Sequence, residues 1–274
     1  MRRLLRRFVP REARRWLRRA WTEAPIRLRD LLPDLRERLR PGRKRPPLPP
    51  ARLRARVSGT SSRREFLDVG HMAAADIRRA FDALKSPADV YPRWLDFGCG
   101  SGRIARHLIA AETARELWGV DVDREAVEWS ARNFPSATFR TIAAAPPTAL
   151  PAGHFNAVIA GSVFTHLSED AQGRWLSELH RLLRPGGVLI ACTHSPKLTF
   201  MRPDLTGAQH EELAERGFLF APGGGPFNED STFHSREYLE RAWGPWFRLE
   251  LFEELGYCGF QDLSGWRKRL LSAG

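Results

Sequence analysis

Leu95-Asp96-Phe97-Gly98-Cys99-Gly100-Ser101-Gly102-Arg103, with Gly119-Val120-Asp121-Val122-Asp123 downstream, decides how this chain folds. Arg93 to Phe97 reads as a short buried strand, and Ile104 to Ala111 reads as a helix. The glycines therefore fall on the strand-to-helix turn, where positive φ and a bare backbone let a ligand come close. The next apolar strand, Leu117 to Val120, ends in Asp121. A carboxylate at that strand tip is placed to accept hydrogen bonds from two ribose hydroxyls. Glycine turn plus acidic strand end implies a nucleoside-containing cofactor on a doubly wound sheet.

The spacing bears on which nucleoside. The dinucleotide pattern G-x-G-x-x-G fails from Gly98, because Arg103 takes its last position. From Gly100 it nearly fits, ending in Ala105, so the pattern by itself leaves NAD open. Asp96 weighs the other way. A carboxylate beside the turn suits a cationic cofactor and repels a pyrophosphate, which prefers an uncrowded helix N-terminus. S-adenosylmethionine, with a sulfonium and an ammonium, fits the acidic turn better. Asp96-Phe-Gly98-Cys-Gly100-Ser-Gly102 resembles the first motif, [DE]-x-G-x-G-x-G, of class I Rossmann-like SAM-dependent methyltransferases.

The resemblance runs over about residues 66–270. Leu150-Pro151 through Phe155-Asn156 to Ile159 looks like the family's entry into the fourth strand, and Gly161 to Leu167 follows it. Trp175 to Arg184 is an amphipathic helix, Pro185-Gly186-Gly187 stops it, and Val188 to Thr193 is the fifth strand. Phe233-His234-Ser235-Arg236-Glu-Tyr238 and Gln261-Asp262-Leu263 are similar to a narrower subgroup, described as encoded beside glycosyltransferases in polysaccharide clusters. The resemblance implies an α/β fold: a seven-stranded, mostly parallel sheet with helices on both faces and an antiparallel last strand. It implies S-adenosyl-L-methionine held by Asp96, Gly98, Cys99, Gly100, Gly102, Asp121 and Val122. Two positions depart from the pattern. The acidic residue usual after the third strand is absent, because Thr138 to Ile142 runs into Ala143-Ala144-Ala145-Pro146-Pro147. A backbone carbonyl or a water is left to receive the adenine amino group. Asn156 stands where an aspartate is usual.

Charge divides the chain unevenly. Residues 1–57 hold 20 Lys/Arg and 5 Asp/Glu, and the rest hold 24 and 27, so the formal +12 belongs to the N-terminal part. A near-neutral remainder argues against a large polyanionic substrate. We read residues 1–57 as an arginine-rich extension with a Pro-rich linker from Pro41 to Pro50, and 58–274 as the catalytic domain. Arginine opposite Leu5, Phe8, Trp16, Leu28, Leu32 and Leu35 is the composition of a helix lying on an anionic membrane surface. Arg/Pro-rich solvated disorder is the competing reading, with nucleic-acid binding and a transit peptide behind both. Cys99, Cys192 and Cys258 form no C-x-x-C pair, which argues against a disulfide framework or zinc site and fits a reducing cytosol. No apolar run is long enough for a membrane span, and no secretory h-region follows the basic N-terminus.

Before the first strand, Ala73 to Leu84 reads as a helix and Pro87 to Pro92 as a turn. From about 195 to 233 the βα alternation gives way to an insertion with one short helix, Ala208 to Arg216, and a hinge at Gly223-Gly-Gly-Pro226. Loops of that length serve as lids or substrate loops. Ser235 to Trp243 is a helix, and Phe247 to Phe252 with Cys258 to Arg267 form a final hairpin.

Methyl transfer from a sulfonium is an in-line displacement, so positioning and desolvation carry most of it. No metal ligand set is required. A hydroxyl acceptor needs a general base, because a neutral alcohol is a poor nucleophile. His166 follows the fourth strand, His194 ends the fifth, and His234 precedes the helix from Ser235; each is a candidate, with helix capping or a turn as its plainer role. The expected function is methyl transfer to a small-molecule or glycan acceptor, in the cytoplasm or at the inner membrane face. The alternatives are a nucleic-acid methyltransferase guided by the basic tail, a non-catalytic SAM-binding protein, and an NAD-dependent oxidoreductase. Gly161-Ser162-Val163-Phe164 is unlike the N/D-P-P-Y clamp of amino-methylating enzymes, which lowers the nucleic-acid reading.

Overall fold

The computed structural model describes residues 23–26, 32, 35, 46–85, 92–223 and 230–270. Seven strands form one sheet: β1 (Arg93–Phe97), β2 (Glu116–Asp121), β3 (Thr138–Thr141), β4 (Phe155–Ala160), β5 (Leu183–Thr193), β8 (Phe247–Tyr257) and β9 (Gln261–Lys268). Their order is β3-β2-β1-β4-β5-β9-β8. The first five pair in parallel, while β9 runs antiparallel to both β5 and β8. The expected doubly wound sheet is thus present, with the antiparallel strand inserted between β5 and β8.

Side-chain alternation explains why both faces are covered. Leu95, Val158, Ala160, Leu189 and Ala191 point to one core, shared with helices α5 (Glu169–Leu182) and α7 (Arg236–Trp243). Trp94, Ala157, Ile159, Val188 and Ile190 point to the other, against α2 (Arg63–Leu84) and α3 (Ala105–Ala110). A strand buried on both faces reads as a continuous apolar run, as β4 and β5 do. The order reverses between β1 and β4, so the carboxyl ends of those strands open onto a crevice.

Several boundaries differ from the sequence reading, each for a packing reason. Helix α2 begins at Arg63 rather than Ala73, with Ser62 accepting from Glu65 N as its N-cap. Gly70 is needed inside that helix, because the Arg103 carbonyl passes 2.5 Å from where a Cβ would stand. Helix α5 starts at Glu169, capped by Ser168, and ends at Leu182; β5 begins at once, Leu183 pairing with Phe155 before a register shift. Cys258 lies in the β8–β9 turn rather than in a strand. The 195–233 insertion holds more than the expected helix. Its parts are a 3₁₀ turn (Pro196–Met201), α6 (Gly207–Arg216), and the antiparallel pair β6 (Phe218–Ala221) and β7 (Ser231–His234). Most of the expected hinge, residues 224–226, and the turn at 87–91 lie outside the described residues.

The segment read as extension and linker, residues 1–57, ends in α1 (Ala51–Ser58), which starts just after the Pro41–Pro50 stretch and packs against the domain. Leu53 is buried with Ala126, Trp129 and Phe134, on and just past α4 (Arg124–Asn133). Arg106 Nη2 donates to the carbonyls of Pro46 and Pro47 at 3.0 and 3.3 Å. A chain beginning at Ser58 therefore loses part of the core. Removing a buried leucine together with Ala51 and Ala55 costs about 2–5 kcal/mol. We expect a chain starting at Pro46 to keep the melting temperature of the full chain. One starting at Ser58 should melt about 10 °C or more lower in a thermal scan. Equal melting temperatures would show that α1 contributes nothing.

Candidate functional site

The backbone of the glycine turn is fixed by β2. Gly98 N and Cys99 N both donate to the Val120 carbonyl, at 2.8 and 3.0 Å. Gly98 sits at φ +80° with Val163 Cγ2 only 2.3 Å from a would-be Cβ, and Gly100 at φ +51° has Val57 Cγ2 at 2.6 Å. Only glycine satisfies both the positive φ and those approaches. Gly102, at φ +73°, combines the same backbone requirement with packing, since Phe134 lies 2.7 Å from its would-be Cβ. Asp121 ties the site together. Its Oδ2 accepts from Gly100 N and its Oδ1 from Asp123 N, both at 2.8 Å. One lone pair on each oxygen remains for a ligand. Asp123 caps α4, accepting from Ala126 N at 3.3 Å.

These groups line a cleft of ≈ 340 Å³ that includes Gly98, Gly100, Asp121, Val122, Val163 and His166. Cys99 also borders it, but burial pushes its thiol well above the usual range, so it is inert. Asp96 lies under the floor at 1% exposure, and neither carboxylate oxygen has a hydrogen-bond partner among the described residues. Burial, then the charge of Asp121, push its pKa up to about 7 against the pull of Arg103. An orphaned buried carboxylate beneath a backbone cradle is incomplete by itself and fits a cationic ligand. A pyrophosphate at that turn meets two acidic groups and is disfavoured. These groups would suit S-adenosylmethionine: the Gly98 and Gly100 backbone would lie beside its amino-acid portion and Asp121 beside its ribose, while Asp96, which does not itself line the cleft, would supply negative charge behind the turn.

Asp96 gives a pH signature. The folded pKa is raised above the unfolded 3.8, so the empty fold loses stability as pH climbs toward 7. A bound cation ionises the carboxylate and reverses this. Cofactor binding should release about one proton at pH 6 and almost none at pH 8. Calorimetry in buffers of different ionisation enthalpy reads that number directly. No proton release at pH 6 would remove Asp96 from the cation's environment.

The three histidines separate clearly. His166 is in the 3₁₀ turn Phe164–His166 between β4 and α5, and it borders the cleft. Its Nδ1 donates to the Asp230 carbonyl at 2.7 Å. A carbonyl only accepts, so the proton sits on Nδ1 and Nε2 carries the lone pair. Burial lowers its pKa below 6.5, outweighing the Asp230 carbonyl. His194 stands behind it, ring centroids 6.5 Å apart, and Nε2 faces the Gln261 amide at 3.2 Å. Gln261 Oε1 in turn accepts from Ser162 Oγ at 2.9 Å. Burial and then His166 push the His194 pKa down to about 4. His234 is buried, its Nε2 2.9 Å from the Gln172 amide, and burial pushes its pKa down to about 3. Neither His194 nor His234 lines the cleft. Asn156 accepts from Arg93 N at 2.9 Å at the far end of the strands, a strand-edge role.

Ile142 and Ala144, from the stretch after β3 that lacks the usual acidic residue, also line the cleft, and Arg56 and Val57 from α1 and Trp175 from α5 line it without a sequence signal for the site. Trp175, read only as the start of an amphipathic helix, is also core, packing on Phe97 at 4.7 Å between rings. Ser162, at φ +60°, shows only in the backbone.

A Rossmann-like sheet with a glycine turn at its reversal point defines a class of nucleoside-cofactor proteins. A methyltransferase-domain profile matches residues 5–245, and the chain belongs to that family. It is 34% identical over 133 residues to a probable S-adenosylmethionine-dependent methyltransferase of Mycolicibacterium smegmatis. That match takes in 44% of this chain and 49% of the relative, so the chain spans about half the length of that curated protein. Among solved structures, a SAM-dependent methyltransferase of Methanosarcina mazei superposes with TM-score 0.52 at 19% identity, over 68% of this chain and 99% of that one. One from Mesorhizobium loti gives 0.51 at 17%, over 72% and 98%. At such identities the structures speak for the fold.

Proposed function

We propose that this protein moves the methyl group of S-adenosylmethionine to a hydroxyl of a small-molecule or glycan acceptor, with His166 as general base. The tautomer of His166 carries the proposal: Nδ1 is committed to the Asp230 carbonyl, which leaves a basic Nε2 on the cleft wall. Bound S-adenosylmethionine supplies an electrophilic methyl on sulfur. The chain's part is placement and proton handling. The glycine turn, with the charge of Asp96 behind it, holds the amino-acid end, Asp121 holds the ribose, and Val163, Leu167 and Trp175 exclude water. His166 Nε2 takes the acceptor's proton as the oxygen attacks. Its lowered pKa keeps it neutral at pH 7. His194, tied through Gln261 to Ser162, and His234, tied through Gln172 to the Phe164 and Leu167 carbonyls, then serve as positioning residues for the turn that carries His166.

The similarity of Phe233–Tyr238 and Gln261–Leu263 to polysaccharide-cluster methyltransferases supports a glycan over other hydroxyl acceptors. Incubating the protein with labelled cofactor and fractionated glycan, lipid and nucleic-acid extracts tests this. Label in a glycan or lipid-linked glycan fraction supports the reading. Label in nucleic acid alone would replace it with the tail-guided alternative.

Most of residues 1–40 lie outside the described residues, so the membrane role of the basic stretch is also a proposal, as is a place at the inner membrane face. Among the described residues no helix is long and apolar enough to cross a membrane. Each basic residue near an anionic surface contributes about 1 kcal/mol, so the full chain should sediment with phosphatidylserine vesicles at low salt and leave them at high salt. Failure to sediment at low salt would end that part of the proposal.

A further inference from the structure

The ion pairs of α1 to the domain fall on Asp123 and Glu125, at the start of α4. Arg56 pairs with Asp123 at 3.0 Å and with Glu125 at 2.9 Å, and Arg52 pairs with Glu125 as well. Glu23 adds a third carboxylate to Arg56. Val57 presses on Gly100, the glycine bonded to Asp121. Arg56 and Val57 line the same cleft as Val122, Ile142 and Ala144. The cleft is therefore bounded at this end by a helix held through ion pairs, through buried Ala51, Leu53 and Ala55, and through the Arg106 bonds to the Pro46 and Pro47 carbonyls before it. Gly59 follows the helix at φ +70°, with nothing within 4 Å of its would-be Cβ, and Thr60-Ser61 separates it from the Ser62 cap of α2. Gly59 is the joint, and Arg54 Nε donates to the Ser61 carbonyl at 2.8 Å across it, a bond that a swing of α1 has to break.

Resting on the cofactor reading above, we propose that α1 is the cover of the adenosyl end: Arg56 and Val57 contact the bound cofactor, and exchange requires α1 to swing away about Gly59. The position fits the departure after β3. Ala143 to Ala145 offer no carboxylate to the adenine, and a helix closing over that end supplies contacts from the opposite side. A guanidinium beside an adenine ring gives both stacking area and hydrogen-bond donors for ring nitrogens. The latch joins α1 to the first turn of α4, so the same Asp123 that caps α4 holds the cover.

Hydrogen exchange on the full chain, with and without S-adenosylhomocysteine, tests the cover, with calorimetry run in parallel. If opening requires an empty cleft, ligand at 100 times its Kd should slow exchange of the amides from Leu53 to Gly59 by about a hundredfold. Unchanged exchange there, with binding heat observed, would overturn the cover and leave the cofactor reading standing. Absence of any binding heat would overturn the cofactor reading and the cover with it. Arg52→Ala gives a second readout, because Arg52 holds the latch and does not line the cleft. Opening more often, it should release S-adenosylhomocysteine several-fold faster in a chase experiment while Kd changes far less. An unchanged release rate would contradict gating by this helix.

Discussion

His166→Ala should lower kcat by about 10²–10⁴ while leaving cofactor affinity near that of the parent. The imidazole contacts the cofactor cleft only at its wall, so the loss falls on the proton-transfer step. In the parent at saturating S-adenosylmethionine, where Asp96 is already ionised, kcat should be flat from pH 8 down past 6.5 and fall only in more acid solution. The sign follows from the burial of His166: its folded pKa is lowered, so the neutral, basic form persists below the ordinary histidine range. A profile bending at or above pH 7 would assign the base elsewhere. A mutant keeping most of its turnover would reduce His166 to the turn residue before the Ser168 cap.

Asp121→Ala should weaken S-adenosylhomocysteine binding by about 10- to 100-fold, since hydrogen bonds to a charged acceptor are worth about 1.5–3 kcal/mol. The structure adds a second consequence. Both oxygens already receive backbone N–H groups, from Gly100 and Asp123. Alanine leaves those donors without an acceptor and loosens the turn, so the melting temperature should fall as well. Asp121→Asn separates the effects, because its one carbonyl oxygen can keep one of the two backbone bonds. Affinity unchanged in both variants by calorimetry would detach Asp121 from the ribose.

The strand–turn–strand unit is legible in the sequence because its information is local. Three glycines, two carboxylates and two apolar runs fall within about 30 residues, and each type is dictated by backbone geometry or charge. The helix–Pro-Gly-Gly–strand segment is readable in its order but not in its bounds: the helix runs from Glu169 to Leu182, and Pro185-Gly186-Gly187, read as its stop, lies inside β5, which already begins at Leu183. That residue joins β5 because Phe155 lies across from it, a pairing no local pattern contains. Helix α1 escapes a sequence reading for a different reason. Its buried positions are mostly small, and its Arg-rich composition reads as solvated until Asp123 and Glu125 are brought beside it. The pair β6–β7 escapes because strands of four residues need their partner to be strands at all. With it goes the contact that fixes the His166 tautomer, since Asp230 is 64 residues away and acts through its backbone. The motif singles out Asp96, but its burial and missing partners come only from the fold.

Whether this cleft holds S-adenosylmethionine through an acidic glycine turn is tested most directly by calorimetric titration. The full chain, in parent and Asp121→Ala forms, would be titrated with S-adenosylhomocysteine and, separately, with NAD. Saturable binding of S-adenosylhomocysteine to the parent is expected, with a Kd at least tenfold higher in the variant and no heat with NAD. Saturable NAD binding without a response to S-adenosylhomocysteine would contradict the assignment.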